Sequence, residues 1–275
     1  MIRIVSLWHA GGLRNIDTVC IASWLRLGFE VELFHFGPVS GVPDGVRLAD
    51  GRDVLSDSYL ERLVPIYRVD RRKFQPVANF SDLFRIKLME QGRGLWLDTD
   101  VFLFRTFDVD PQRPFFAWED RHRIGSPVFY LPPDSAMLQD YLKVFDDPRL
   151  MPHWLGLVRG VLRPAFWRRI GRTYSPPDLG ITIYGNDAFT RLAKKHGLTG
   201  YALPRRSFYP WGGRDTERFF TRPEYGRLLW DDPGVFGLHI HRKRLSDVAP
   251  LPGTMYAHAV EQLADGLPRM TWEPR

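Results

Sequence analysis

Two carboxylates stand one residue apart inside an otherwise apolar run, Leu95-Trp96-Leu97-Asp98-Thr99-Asp100-Val101-Phe102-Leu103-Phe104. The flanks read as a buried strand. Such a strand excludes unpaired charge, because moving an ionised carboxylate into an apolar interior is very costly. The flanks put the pair inside the sheet, with something cationic facing it. Asp98 and Asp100 lie on the same side of an extended segment, so both can address one cation where the strand frays into a loop. A hard divalent metal that also holds a diphosphate suits them, since Mg²⁺ is usually bound by one or two carboxylates plus phosphate oxygens. The competing reading is a strand end with two solvated carboxylates.

The rest of the chain reads as α/β. Ile2 to Leu7 is a first strand, and Gly11-Gly12 is a turn. Asn15 or Asp17 caps a helix that Gly28 stops, and Val31 to Phe36 is a second strand. This β-α-β opening favours a parallel sheet with a nucleotide at the strand ends. The Gly-x-Gly-x-x-Gly fingerprint is absent, which argues against a dinucleotide-binding enzyme. Residues 37 to 76 read as loop with a short helix near Asp57 to Leu63. Phe80, Leu83, Phe84 and Leu88 recur at helical spacing within Asn79 to Gln91, with Asn79 or Ser81 as cap and Gly92 as stop. Strands follow at Phe115–Trp118, Pro127–Leu131, Ile181–Tyr184 and Val235–His241. Helices follow at Ser135–Phe145, Asn186–His196 and 257–265.

A chain of 275 residues suits one large α/β domain. The net charge of +6 and pI near 9.5 fit an anionic ligand, an anionic membrane surface or nucleic acid. No nucleic-acid motif is present, and the paired carboxylates repel phosphate unless a metal intervenes. The single cysteine, Cys20, excludes a disulfide within the chain and a Cys-based zinc site. With no signal-peptide core at the start and no apolar run of bilayer-spanning length, the expected location is cytoplasmic.

Three further groups carry chemistry. Asp82 and Arg85 sit three apart on the helix that leads to the Asp pair. They form either a simple ion pair or contacts to phosphate and sugar hydroxyls. His239 and His241 alternate on one face of the late strand, where a neutral imidazole can complete a metal shell. Arg242, Lys243 and Arg244 follow and can offset diphosphate charge. Glu119 and Asp120 follow the Phe115–Trp118 strand. Either can stabilise an oxocarbenium-like carbon or orient an acceptor; the alternative is a solvated acidic turn.

Together, Asn79-Phe80-Ser81-Asp82-Leu83-Phe84-Arg85 and Gly92-Arg93-Gly94-Leu95-Trp96-Leu97-Asp98-Thr99-Asp100 resemble the signature of the DXD-containing retaining glycosyltransferases. That group includes α-1,4-galactosyltransferases, yeast initiating mannosyltransferases and bacterial capsular polysaccharide transferases. Here Gly-Arg-Gly replaces the usual Gly-Gly, and Trp96 stands where Tyr is common. Trp8 matches a nucleobase-stacking tryptophan. Gly185-Asn186-Asp187 is similar to a Gly-Pro-x segment, with Asn186 in place of proline. Gly237-Leu238-His239 matches a late His-bearing strand, whose usual Trp-Asn is replaced by His241-Arg242.

The resemblance implies a GT-A fold, with one mixed, mostly parallel sheet flanked by helices. It implies a single domain over 1–275: a nucleotide-sugar-binding half (1–110), an acceptor half (111–250), and a C-terminal helix and tail (251–275). Asp98 and Asp100 would hold Mn²⁺ or Mg²⁺ with His239 as third ligand and His241 as the competing one. Trp8, Asp82, Arg85, Trp96, Asn186, Asp187 and Arg242 would contact substrate. The implied reaction moves a hexose from a nucleotide-diphosphate sugar to a saccharide or lipid-linked saccharide acceptor, with retention, in bacterial surface polysaccharide or glycoconjugate synthesis. The alternative is a haloacid-dehalogenase-like phosphohydrolase, but its Asp-x-Asp normally opens the chain on the first strand.

Residues His153 to Arg172 interleave Trp154, Leu155, Leu157, Val161, Leu162, Phe166 and Trp167 with five arginines. A basic amphipathic segment of this kind can lie on an anionic membrane, which would make the protein peripheral to the inner membrane face. Against that, Pro164 should break the segment into short parts.

Overall fold

The computed structural model describes residues 2–66 and 76–274. The apolar runs at the start form a parallel β-α-β unit: β1 (Ile4–Leu7), the short β2 (Gly11–Gly12), α1 (Asn15–Arg26) and β3 (Val31–His35). Gly28, at φ +84°, ends α1 in the left-handed region that favours glycine. Neither Asn15 nor Asp17 caps the helix. Asn15 is its first residue, and Asp17 is buried in the first turn, bonded to Arg14 and Thr99. β4 (Val39–Ser40) pairs with β2. β5 (Arg47–Asp50) extends the β3 edge within a stretch expected to be loop. Its four residues are largely exposed and lack apolar alternation, so the sequence carries no strand signal there.

α2 (Tyr59–Arg62) is the expected short helix. α3 (Pro76–Glu90) buries Phe80, Leu83, Phe84 and Leu88 completely and runs through Asn79 and Ser81, so neither of those caps it. The loop reading of 67–75 lies outside the described residues. Gly94 then presses the chain against β1. A Cβ there would stand 2.3 Å from the Arg3 carbonyl oxygen, the same oxygen that accepts from Leu95 N–H at 2.9 Å.

The single strand expected over Leu95–Phe104 is two: β6 (Leu95–Leu97) and β7 (Val101–Leu103). Asp98–Asp100 form the turn between them, with Val101 N–H donating to the Asp98 carbonyl at 3.0 Å. The pair therefore lies beside the sheet, not inside it. The turn solves the charge problem by taking both carboxylates out of the strand. β8 (Phe115–Trp118) and β9 (Ile124–Tyr130) form a hairpin, followed by α4 (Ala136–Leu142), which Ser135 caps. A π-helix, Leu157–Leu162, passes directly into α5 (Arg163–Arg169). Residues 181–185 make a turn where a strand was expected, because Asp187 N–H closes back onto the Thr182 carbonyl at the start of α6 (Asn186–Lys195). The short α7 (Arg218–Thr221) and α8 (Leu228–Asp231) precede β10 (Gly237–His239) and α9 (Met255–Leu263).

Six strands form a mixed, mostly parallel sheet flanked by helices, in the order β5-β3-β1-β6-β9-β8, with β9 antiparallel to both of its neighbours. β7 and β10 form a separate antiparallel ribbon with Val101 opposite His239. One apolar cluster surrounds the sheet (Phe34, Phe84, Phe129, Tyr141). A second, with Phe102, Phe219, Leu238 and Tyr256, packs against the ribbon and α9.

Candidate active site

β1 and β6 are adjacent parallel strands. Trp8 follows the end of one and Asp98 the end of the other, at the carboxyl edge where open α/β sheets hold ligands. A pocket of ≈ 670 Å³ opens there, and its lining includes Trp8, Asp82, Arg85, Trp96, Asp98, Asp100, Glu119, Asn186, His239 and His241. Topology thus gathers residues spread over more than two hundred positions of sequence.

Asp98, Asp100 and His239 offer ligand atoms that all lie within 4.8 Å of one another. The β7–β10 pairing makes this cluster: Ile240 N–H donates to the Asp100 carbonyl at 3.0 Å, bringing His239 Nε2 to 3.2 Å from Asp100 Oδ1. Asp100 Oδ1 and His239 Nδ1 are buried without a hydrogen-bond partner among the described residues, while Lys243 Nζ meets the other Asp100 oxygen. Burial holds the His239 imidazole below its ordinary pKa, partly opposed by Asp98 and Glu119. It is therefore neutral, the ligand form, at neutral pH. Tyr209 packs edge-on against the ring, and Gly125 leaves room for the Tyr209 hydroxyl.

Arg85 anchors the opposite wall. Its guanidinium donates to the Ser126 carbonyl at 2.8 Å, lies 3.2 Å from Asp98 and 3.4 Å from Asp82, and sits 4.5 Å over the Trp96 ring. Trp96 is buried and donates its Nε1–H to Asp98 at 2.6 Å, so it holds a carboxylate in place more than it presents a surface. Burial pushes the Asp82 carboxyl up to about 7 against the pull of Arg85, with the Asp98 charge adding to the rise. Trp8 is half-buried, Arg14 lies 5.4 Å over its ring, and its Nε1 has no partner among the described residues.

Four of the expected site residues lie outside the pocket lining or outside the three-residue cluster. Asp120 is absent from the pocket lining. Its oxygens accept from the His122 and Arg123 amides at 2.8 Å and from the Arg123 side chain at 2.7 Å, closing its own turn. Asp187 binds Arg159 and Thr182 behind the wall, both at 2.9 Å. Arg242 is exposed; among the described residues its backbone N–H engages Thr216. His241 lies outside the three-ligand cluster. β10 ends at His239, and beyond it the His241 ring turns to within 3.7 Å of Glu119. Burial and the neighbouring His239 bring His241 down to about 4. Glu119 is in the pocket, gripped by Asn186.

Sequence reasoning missed Arg14, Arg123, Ser126 and Thr182, which also line the pocket. Only Arg14 carried a usable signal, since it lies in the loop after β1, on the ligand-binding edge of a parallel sheet. Asp17, bonded to both Arg14 and Thr99 (2.7 Å to Thr99), ties the Asp98–Asp100 turn to α1.

No family model matches the chain, and no curated protein matches it. Among solved structures, the PaToxG glycosyltransferase is similar over 70% of this chain and 68% of that one, with 13% identity and a TM-score of 0.42. A likeness of that size carries no functional assignment.

Proposed function

We propose that this chain is a metal-dependent glycosyltransferase of GT-A type. It moves a hexose from a nucleotide-diphosphate sugar to a saccharide or glycolipid acceptor, with retention, in bacterial surface polysaccharide or glycoconjugate synthesis. The observation that carries this reading is the convergence of Asp98, Asp100 and His239 within 4.8 Å at the mouth of two parallel strands. The donor set fits Mn²⁺ or Mg²⁺: two carboxylates and a neutral imidazole, two of whose buried atoms lack hydrogen-bond partners among the described residues. When bound, the ion supplies Lewis-acid neutralisation of the charge that builds on a departing diphosphate.

The chain's own groups do the rest. Trp8 offers a ring face for the nucleobase. Arg85 and Trp96 fix the Asp98 carboxylate, so that it needs no reorganisation when charge develops. Lys243, beside Asp100, adds positive charge on the leaving-group side. Glu119, held by Asn186, is the carboxylate available to the reacting carbon or to an acceptor hydroxyl.

The test is a panel of nucleotide sugars with Mn²⁺ or Mg²⁺, read by donor hydrolysis and thermal stabilisation. Asp98→Asn and Asp100→Asn should each lower turnover by about 100-fold, the scale of losing a few kcal/mol of electrostatic stabilisation. Donor binding and hydrolysis that ignore both metal and these substitutions would sink the reading. Trapping of an aspartyl-phosphate by a fluoride analogue, with no donor turnover, would replace it with the phosphohydrolase.

A further inference from the structure

Pro164 does not break the basic aromatic stretch. It is the second residue of α5, just where the π-helix gives way to the α-helix, and the helical backbone continues through it without interruption. The result is one helical rod over 157–169. Pro164 is buried, while Gly160 and Trp167 are half-buried. These three recur four and three residues apart and face the body, with a Cβ at Gly160 only 3.3 Å from Leu155 Cβ. Val158, Leu162, Phe166 and Ile170 recur every four residues on the outward side. With Leu157 and Val161 they are 52–65% exposed. This inverts the usual arrangement, in which a surface helix turns its apolar face inward. A contiguous exposed apolar patch marks an interaction surface.

We propose that this outward face docks on an anionic lipid bilayer. Charge selects the partner. No Asp or Glu occurs between Asp147 and Asp178. Arg163, Arg168 and Arg169 have no carboxylate partner among the described residues, whereas Arg159 is taken by Asp187. Apolar side chains flanked by free arginines match the acyl boundary and the anionic headgroups at once. A second copy of the chain would bring the same arginines against these and be repelled. Among the described residues no helix is long and apolar enough to cross a membrane, so the contact lies in the interface plane. The face also adjoins the pocket: Arg159 grips Asp187, which bonds Thr182 in the pocket wall, and the neighbouring Ile181 is exposed.

The full chain should co-sediment with phosphatidylcholine vesicles containing phosphatidylglycerol and not with phosphatidylcholine alone. Binding should weaken as salt rises. Phe166→Asp, and separately the double substitution Arg168→Gln/Arg169→Gln, should each lower the partition coefficient about tenfold or more, while Phe166→Leu retains it. Thermal unfolding checks that each variant folds, and the arginine pair carries the test where Phe166→Asp does not. Absence of binding to the anionic vesicles, equal binding to neutral ones, or indifference to both folded variants would overturn the proposal. So would a dimer that Phe166→Asp dissociates. The assay uses no donor, so its outcome is independent of the glycosyl-transfer reading.

Discussion

Gly185 packs closely on Asp82: a Cβ there would stand 3.0 Å from both of its carboxylate oxygens. The enclosure has a measurable consequence. Folding raises the Asp82 pKa from 3.8 to about 7, so the native state binds its proton more tightly than the unfolded chain does. Stability attributable to this group is therefore fully present below the ordinary carboxylate range and is lost as pH rises through about 7. In chelator-containing buffer, wild-type stability relative to the Asp82→Asn variant should fall by roughly 2–4 kcal/mol over that window. Denaturant midpoints measured across the range decide it, and parallel curves would refute it. At this scale the sequence was informative at several places where charge stood in apolar surroundings. Asp98, Asp100, Arg85 and His239 are such residues, and they meet in the pocket. It misled where adjacency stood in for side-chain direction. Asp120 follows Glu119 in the chain, yet it spends both oxygens on the His122–Arg123 turn.

Elements with strong periodicity were legible and those without it were not. α3 and α6 show their buried faces in sequence; β5, exposed and charged, shows nothing. The Leu95–Phe104 run illustrates a subtler limit, since its flanks do form strands, but in two different sheets. Periodicity reports burial and not which partner supplies it. Elements are also joined by polar hubs that no pattern announces. Asp140, buried on α4, accepts from His196 on the α6 side at 2.9 Å, with Lys195 at 2.6 Å and His153 at 3.2 Å. Burial alone would raise its pKa, but the Lys195 and His196 hydrogen bonds outweigh burial and hold it well below 3.8. A lowered carboxyl stabilises above its ordinary pKa and loses that contribution as pH falls through the native value. Asp140→Asn should cost about 1–2 kcal/mol at neutral pH, a figure kept small because Lys195 and His153 are solvent-exposed. The gap from wild type should begin to narrow as pH falls below about 4 and close only as pH approaches the lowered native value. Urea unfolding from neutral to strongly acidic pH tests this, and a gap that does not narrow at all would place the effect in packing.

Across the whole molecule, the geometry of the Asp98–Asp100–His239 group depends on two apolar clusters meeting at one ribbon. β7 carries Val101 and Leu103 into the sheet cluster and Phe102 into the second, and β10 contributes Leu238 to that second cluster beside His239. The ribbon that brings Asp100 to His239 thus rests on α1 on one side and, through Phe219, on the second cluster on the other. None of this is visible in sequence, because Phe219 and Tyr256 read only as apolar residues in late segments. Both are buried, with ring centroids 5.9 Å apart, and Phe219 lies 5.7 Å from Phe102. Two cavities of comparable cost should then differ in effect. Phe219→Ala removes packing under the ribbon, and Leu138→Ala opens the sheet cluster at α4; each should destabilise by about 2–5 kcal/mol. Only Phe219→Ala should also loosen the Asp100–His239 pair, weakening Mn²⁺ binding about tenfold or more, the scale at which supporting contacts act on metal affinity. Calorimetric titration at a temperature where both variants are folded separates the two. Equal losses of affinity would mean that the cluster tracks global stability, and unchanged affinity in Phe219→Ala would mean that the ribbon holds its register without the second cluster.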